Sequence, residues 1–173
     1  INLKTTRFAF AQCSNMQGLI DDEMFIGCTS LKNTSGMFMN CSKLGKFNET
    51  VTNQHYSIPA GLFNSCRNTI ENTSYMFSFC GFDGKIAVGN PTIIKDDNGN
   101  ITTISFENGE QKGLFADCVN LISVSHMFEG CDNIKGSIPQ DMFYMTNSKN
   151  NYEKLENMSY LFAGCHTMGL RYS

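Results

Sequence analysis

The sequence predicts an α/β solenoid: a stack of short strands and short helical turns carrying a β-hairpin insertion. Three observations predict it. Each of the eight Cys stands three residues after a Phe. The Phe-centred units recur with a basic period of 28 residues, from Phe10 to Phe38 and again from Phe115 to Phe143. The 173-residue chain is 41% hydrophobic yet has no run of eighteen apolar residues, which suits one packed domain over 1–173 and excludes a spanning helix.

The unit is [Met/Leu]-Phe-x-x-Cys, with Cys at 13, 28, 41, 66, 80, 118, 131 and 165, and a further copy at Met142-Phe143 that carries Thr146 in place of Cys. Two kinds alternate. One is led by Ile-Pro, as in Ser57-Ile58-Pro59-Ala60-Gly61-Leu62-Phe63 and Ser137-Ile138-Pro139-Gln140-Asp141-Met142-Phe143. The other has Ser three before the Phe, as in Asn33-Thr34-Ser35-Gly36-Met37-Phe38 and Asn72-Thr73-Ser74-Tyr75-Met76-Phe77. One of each makes a repeat, and the period lies in the range of leucine-rich repeats. A single repeat cannot bury its own apolar face, so the repeats must stack.

Each element follows from local chemistry. Pro59 and Pro139 stand where the first turn of a short helix tolerates proline. Ser35, Ser74, Ser125 and Ser159 stand where an N-cap would sit. Phe and Cys at i and i+3 then share a face of one helical turn. The apolar residue three after Cys (Met16, Leu31, Leu44, Leu121, Ile134 or Met168) reads as the entry to a short stacked strand. The longer separations between Phe residues place insertions near 46–56, 84–107 and 147–152. Within the second, β-branched runs flank Asn98-Gly99, which predicts a hairpin.

These alternating blocks resemble the BspA-like leucine-rich-repeat surface proteins, most closely at Asn72-Thr73-Ser74-Tyr75-Met76-Phe77 and Asn157-Met158-Ser159-Tyr160-Leu161-Phe162. The resemblance covers about Phe10 to Cys165 apart from the insertions. It implies a right-handed leucine-rich-repeat-like solenoid, a role in adhesion and no catalytic residues. Thr146 and the insertions depart from the pattern.

The net charge of −3 and pI near 5.6 provide no basic footprint for nucleic acid. With every Cys in one place of the repeat and no Cys-x-x-Cys pair, the thiols read as a buried free ladder rather than as disulfides or a zinc site. His55, His126 and His166 are scattered, and His126 occupies the exposed variable position held elsewhere by Gly36 and Tyr75. Asp96-Asp97-Asn98-Gly99-Asn100 lacks the spacing of a calcium loop. Of the Asn-x-Ser/Thr sequons at Asn33, Asn40, Asn48, Asn72, Asn100 and Asn157, those at Asn33, Asn72 and Asn157 belong to the repeat wording, where Asn satisfies turn backbone.

The functional expectation is a non-enzymatic binding or adhesion module without cofactor or metal. It would be extracellular, on a cell or virion surface, and would recognise a protein or glycan on a host or neighbouring surface. The alternative is a structural repeat of a virion fibre, or a spacer used for assembly. No membrane insertion is expected. Loops on a rigid scaffold usually carry function, which nominates Tyr56, Lys95, Asp96, Asp97 and Asn98 for partner contact. The start at Ile1 and the uncapped ends read as a piece of a longer chain with flanking domains.

Overall fold

The computed structural model describes residues 1–21, 23–46, 56–87, 92–95, 101–105, 113–139, 142–143 and 152–169, with Tyr56, 92–95 and 101–105 described by their backbone. All eight Phe-x-x-Cys units close in the same way. The Cys N–H donates to the Phe carbonyl at 2.9–3.3 Å. A second turn follows, in which Met16, Leu31, Leu44, Leu121, Ile134 and Met168 donate to the Cys carbonyl at 2.9–3.2 Å. These residues therefore close turns. Strand-like pairing begins two residues after Leu31 and Leu121, at Asn33 and Ser123.

The expected helical turns are largely replaced by β-turns. Among the described residues the helix is one 3-10 turn, Asn64–Cys66, five residues after Pro59. In the Ser-containing motifs, left-handed residues flank each Phe: φ is 61° at Gly36 and 64° at Asn40 on either side of Phe38. A left-handed residue interrupts a right-handed helix. The i,i+3 closure survives in the form of overlapping turns: Thr34 to Met37, Gly36 to Met39, and Phe38 to Cys41.

The two kinds of motif segregate into two columns. Phe10, Phe38, Phe77, Phe128 and Phe162 stack with centroids 5.4–5.8 Å apart. Phe25, Phe63, Phe115 and Phe143 stack at 5.2–6.0 Å. Parallel bridges run Thr5–Asn33–Asn72–Ser123–Asn157, so the first column has five rungs in register. Backbone hydrogen bonds lock neighbouring rungs; the Phe10, Phe38, Phe77 and Phe128 N–H groups reach Met37, Met76, Met127 and Leu161 carbonyls at 2.9–3.0 Å. Elsewhere β1 (Tyr56–Ile58) pairs in parallel with β2 (Lys85–Ile86), and Lys85 bridges onward to Lys135.

One hydrophobic cluster extends from Ile20 to Leu161. Phe63, Phe77, Phe115 and Phe128 at its centre are fully buried. Burial of such side chains contributes about 1.5–3 kcal/mol each. All eight cysteines are free. Four thiols donate to the Phe carbonyl of the preceding rung at 3.0–3.1 Å: Cys41 to Phe10, Cys80 to Phe38, Cys131 to Phe77 and Cys165 to Phe128. Phe82 meets Phe77 edge-on at 5.2 Å and fills the space over Gly45, whose φ of 79° excludes most side chains.

Of the insertions, 47–55, 88–91, 96–100, 106–107 and 147–151 lie outside the described residues, as do 108–112 and 144–146, with Thr146 among the latter. The runs flanking Asn98-Gly99 form antiparallel strands, β3 (Thr92–Lys95) and β4 (Ile101–Ser105), with an irregularity between Ile94 and Lys95.

Candidate functional site: an exposed aromatic ladder

The Asn-led motif builds a surface feature from the backbone outward. The Oδ1 atoms of Asn33, Asn72 and Asn157 each accept the N–H of the Ser two residues on at 2.9 Å. These Asx turns occupy the side chains of three of the sequons. The variable residue that follows is left-handed in all five rungs: φ is 55° at Phe8, 61° at Gly36, 58° at Tyr75, 55° at His126 and 57° at Tyr160. In the first four, its N–H reaches the Ser carbonyl of the next rung at 2.8–3.0 Å.

Tyr75, His126 and Tyr160 therefore project at equivalent places on successive rungs. Their rings stack, with centroids 4.4 Å apart and planes within 7° for Tyr75–His126, and 4.7 Å and 14° for His126–Tyr160. Tyr75 is 38% exposed and Tyr160 64%, while His126 is half-buried between them. The Glu129 carboxylate accepts from His126 Nδ1 at 2.9 Å. In the first rung the exposed Phe8 ring lies where a Cβ on Gly36 would be, and the Arg7 guanidinium stands 5.0 Å from its centroid. A second left-handed column (Gln12, Asn40, Phe79, Gly130 and Gly164) runs alongside, and the exposed Phe79 ring lies over Gly130.

Left-handed backbone costs a non-glycine residue about 1–2 kcal/mol. Gly36 avoids that cost in the second rung, whereas the last three rungs accept it to carry outward aromatic rings. Stacking offsets part of it, at about 0.5–1.5 kcal/mol per pair. The result is a strip of ring edges, phenolic hydroxyls, an imidazole and a carboxylate on a register-locked scaffold.

Burial disfavours the thiolate at six of the cysteines. Burial is the main cause pushing Cys66 and Cys118 up to about 12 and Cys165 to about 11, and it raises Cys41, Cys80 and Cys131 as well. A thiol in that range holds its proton at neutral pH. Burial also raises the Tyr152 hydroxyl, which donates to the Phe115 carbonyl at 2.5 Å. Among the described residues no group of three or more His, Cys, Asp or Glu is arranged to hold a metal ion, and no helix is long and apolar enough to cross a membrane.

Of the residues nominated from sequence, Tyr56 lies in β1 opposite Lys85, and Lys95 ends β3 opposite Ile101. These strands belong to separate sheets. Asp96, Asp97 and Asn98 lie outside the described residues. The ladder was not among the nominations, although its signal was present: Phe8, Tyr75, His126 and Tyr160 all stand two residues before a column Phe. Comparison with family models, curated proteins and solved structures found no match to the chain.

Proposed function

We propose that this chain is a right-handed leucine-rich-repeat-like solenoid of the BspA-like kind. In this reading it serves as a non-enzymatic binding module on a cell or virion surface, and the Tyr75–His126–Tyr160 ladder is its contact strip. The two Phe columns and the parallel bridges support the stacked-repeat part of this reading. The observation that carries the binding part is the run of three outward aromatics held left-handed where the neighbouring rung uses glycine. Strained backbone that serves to present side chains is characteristic of functional surfaces.

Tyrosine-rich, partly exposed strips of this kind suit protein interfaces. A protein partner fits better than a glycan, because the rings cover one another's faces and present edges and hydroxyls. The test is a triple variant, Tyr75→Asn, His126→Asn and Tyr160→Asn, since Asn tolerates the left-handed conformation. Intact and variant chains would be compared on a panel of purified host-surface proteins and on a glycan array. Binding that falls at least about tenfold in the variant, with its thermal midpoint retained, supports the ladder; about 1.4 kcal/mol is enough for that change. Equal binding by the variant removes the ladder from the contact surface.

A further inference from the structure

We propose that the ladder recognises a basic, arginine-bearing protein segment through His126 Nε2, held as a hydrogen-bond acceptor, and that protonation of His126 releases it. This rests on the ladder being the contact strip and names the chemistry of its partner. The Glu129 carboxylate can only accept, so His126 Nδ1 carries the ring proton across their 2.9 Å contact. Nε2 is then left with its lone pair, and it has no hydrogen-bond partner among the described residues. The unpartnered side-chain atoms that are buried are Thr6 Oγ1, Thr34 Oγ1 and Ser78 Oγ, so Nε2 is open to solvent. Tyr75 and Tyr160 hold the imidazole plane from both faces, within 7° and 14°, which fixes the direction of that acceptor.

Charge divides along the stack at the same place. Within four residues of the ladder position, the first two rungs carry Lys4, Arg7 and Lys32. The last three carry Glu71, Glu129 and Glu156 as their only charged residues besides His126. The half that bears the stacked rings is therefore the acidic half. Lys32 Nζ is committed to Glu71 Oε1 at 2.6 Å, which leaves Glu129 half-buried beside the rings and Glu156 exposed. Carboxylates and an imidazole lone pair accept, and a guanidinium brings five donors and no acceptor. Complementary charge also favours its approach. Protonation turns Nε2 into a donor and offsets the Glu129 charge, so an arginine is repelled. The titratable groups facing His126 are Glu129 from its own turn, Tyr75 from the third rung and Tyr160 from the fifth. Phenol faces accommodate an imidazolium, so the ladder stays stacked when it switches.

Nitrogen NMR of the intact chain tests the first step without a ligand, with the His126 signals assigned by their loss in His126→Asn. Neutral His126 should carry its proton on Nδ1; a proton on Nε2 overturns the proposal. The probe for the second step is a short synthetic peptide of alternating arginine and glycine, with a glutamate and glycine peptide as control. The arginine peptide should shift the His126 signals and the control should not. Its affinity should fall at least about tenfold between a pH at which NMR shows the neutral ring and one at which it shows the imidazolium. Glu129→Gln, which releases the tautomer, should weaken binding and flatten that pH profile. No shift with the arginine peptide, a preference for the glutamate peptide, or affinity indifferent to His126 protonation would each overturn the proposal. The triple variant on the protein panel still decides separately whether the ladder is a contact strip.

Discussion

Arg67 is 6% exposed and has no close counterpart in the repeat, where Thr29 and Val119 hold the equivalent place. Its guanidinium donates to Asn64 Oδ1 at 2.6 and 2.9 Å, and to the carbonyls of Ala60, Gly113 and Ala116 at 3.2, 3.0 and 2.5 Å. Gly113 and Ala116 lie where the chain rejoins the stack after the long insertion. The side chain thus anchors that return; the Gly113 carbonyl also accepts the Ala116 N–H at 3.0 Å, whereas the Ala60 and Ala116 carbonyls take their hydrogen bonds from Arg67. Arg67→Met keeps most of the stem but orphans the Ala60 and Ala116 carbonyls, and should lower unfolding free energy by about 2–4 kcal/mol in urea titration. A loss below about 0.5 kcal/mol, the scale of an ordinary surface change, would show that the carbonyls find other donors. Nothing in the sequence marks this role, because the acceptors are backbone groups far along the chain.

At the scale of the element, a Phe's cost of removal depends on its rung. Phe77 is sandwiched between Phe38 and Phe128 and touched edge-on by Phe82, with no exposed surface. Phe77→Ala should cost about 3–5 kcal/mol, whereas Phe10→Ala, at the exposed first rung, should cost about half as much or less. Equal losses in urea titration would mean that the columns do not carry the stability. The motif's role as a core unit was legible from its repetition. Its conformation was misread as a helical turn, because i,i+3 spacing suits both a helix and a β-turn. The deciding feature is the left-handed backbone at Tyr75 and Tyr160, a residue type with no strong preference for it.

Across the whole molecule, the thiol array should make stability fall in alkali. The ordinary thiol value is 9.0, and the folded chain raises Cys66 and Cys118 to about 12. Their stabilising contribution is complete below about pH 9. Above it the unfolded chain releases protons that the folded chain keeps, so stability drops by about 1.4 kcal/mol per pH unit for each such thiol until the folded value is passed. Urea midpoints from pH 8 to about pH 11 should therefore fall steeply, and variants with Cys66→Ala and Cys118→Ala should show a shallower slope. An unchanged slope would separate these thiols from the alkaline loss. In native labelling with iodoacetamide, the exposed Cys13 should react first.

By itself the sequence determined the period, the alternation of two motif kinds, and most of the Phe, Met, Leu and Cys residues that form the core, because apolar burial repeats with the chain's own wording; Phe10 and Cys13, expected in the buried ladder, are exposed because no described rung covers them. The hairpin strands around Asn98-Gly99 were legible for the same local reason. Tertiary structure alone decided that Tyr75, His126 and Tyr160 form one strip and that Arg67 ties down a distant return of the chain. Those relations join residues dozens of positions apart. They arise only when rungs hydrogen-bond in register, which brings equivalent positions within ring-stacking distance of each other.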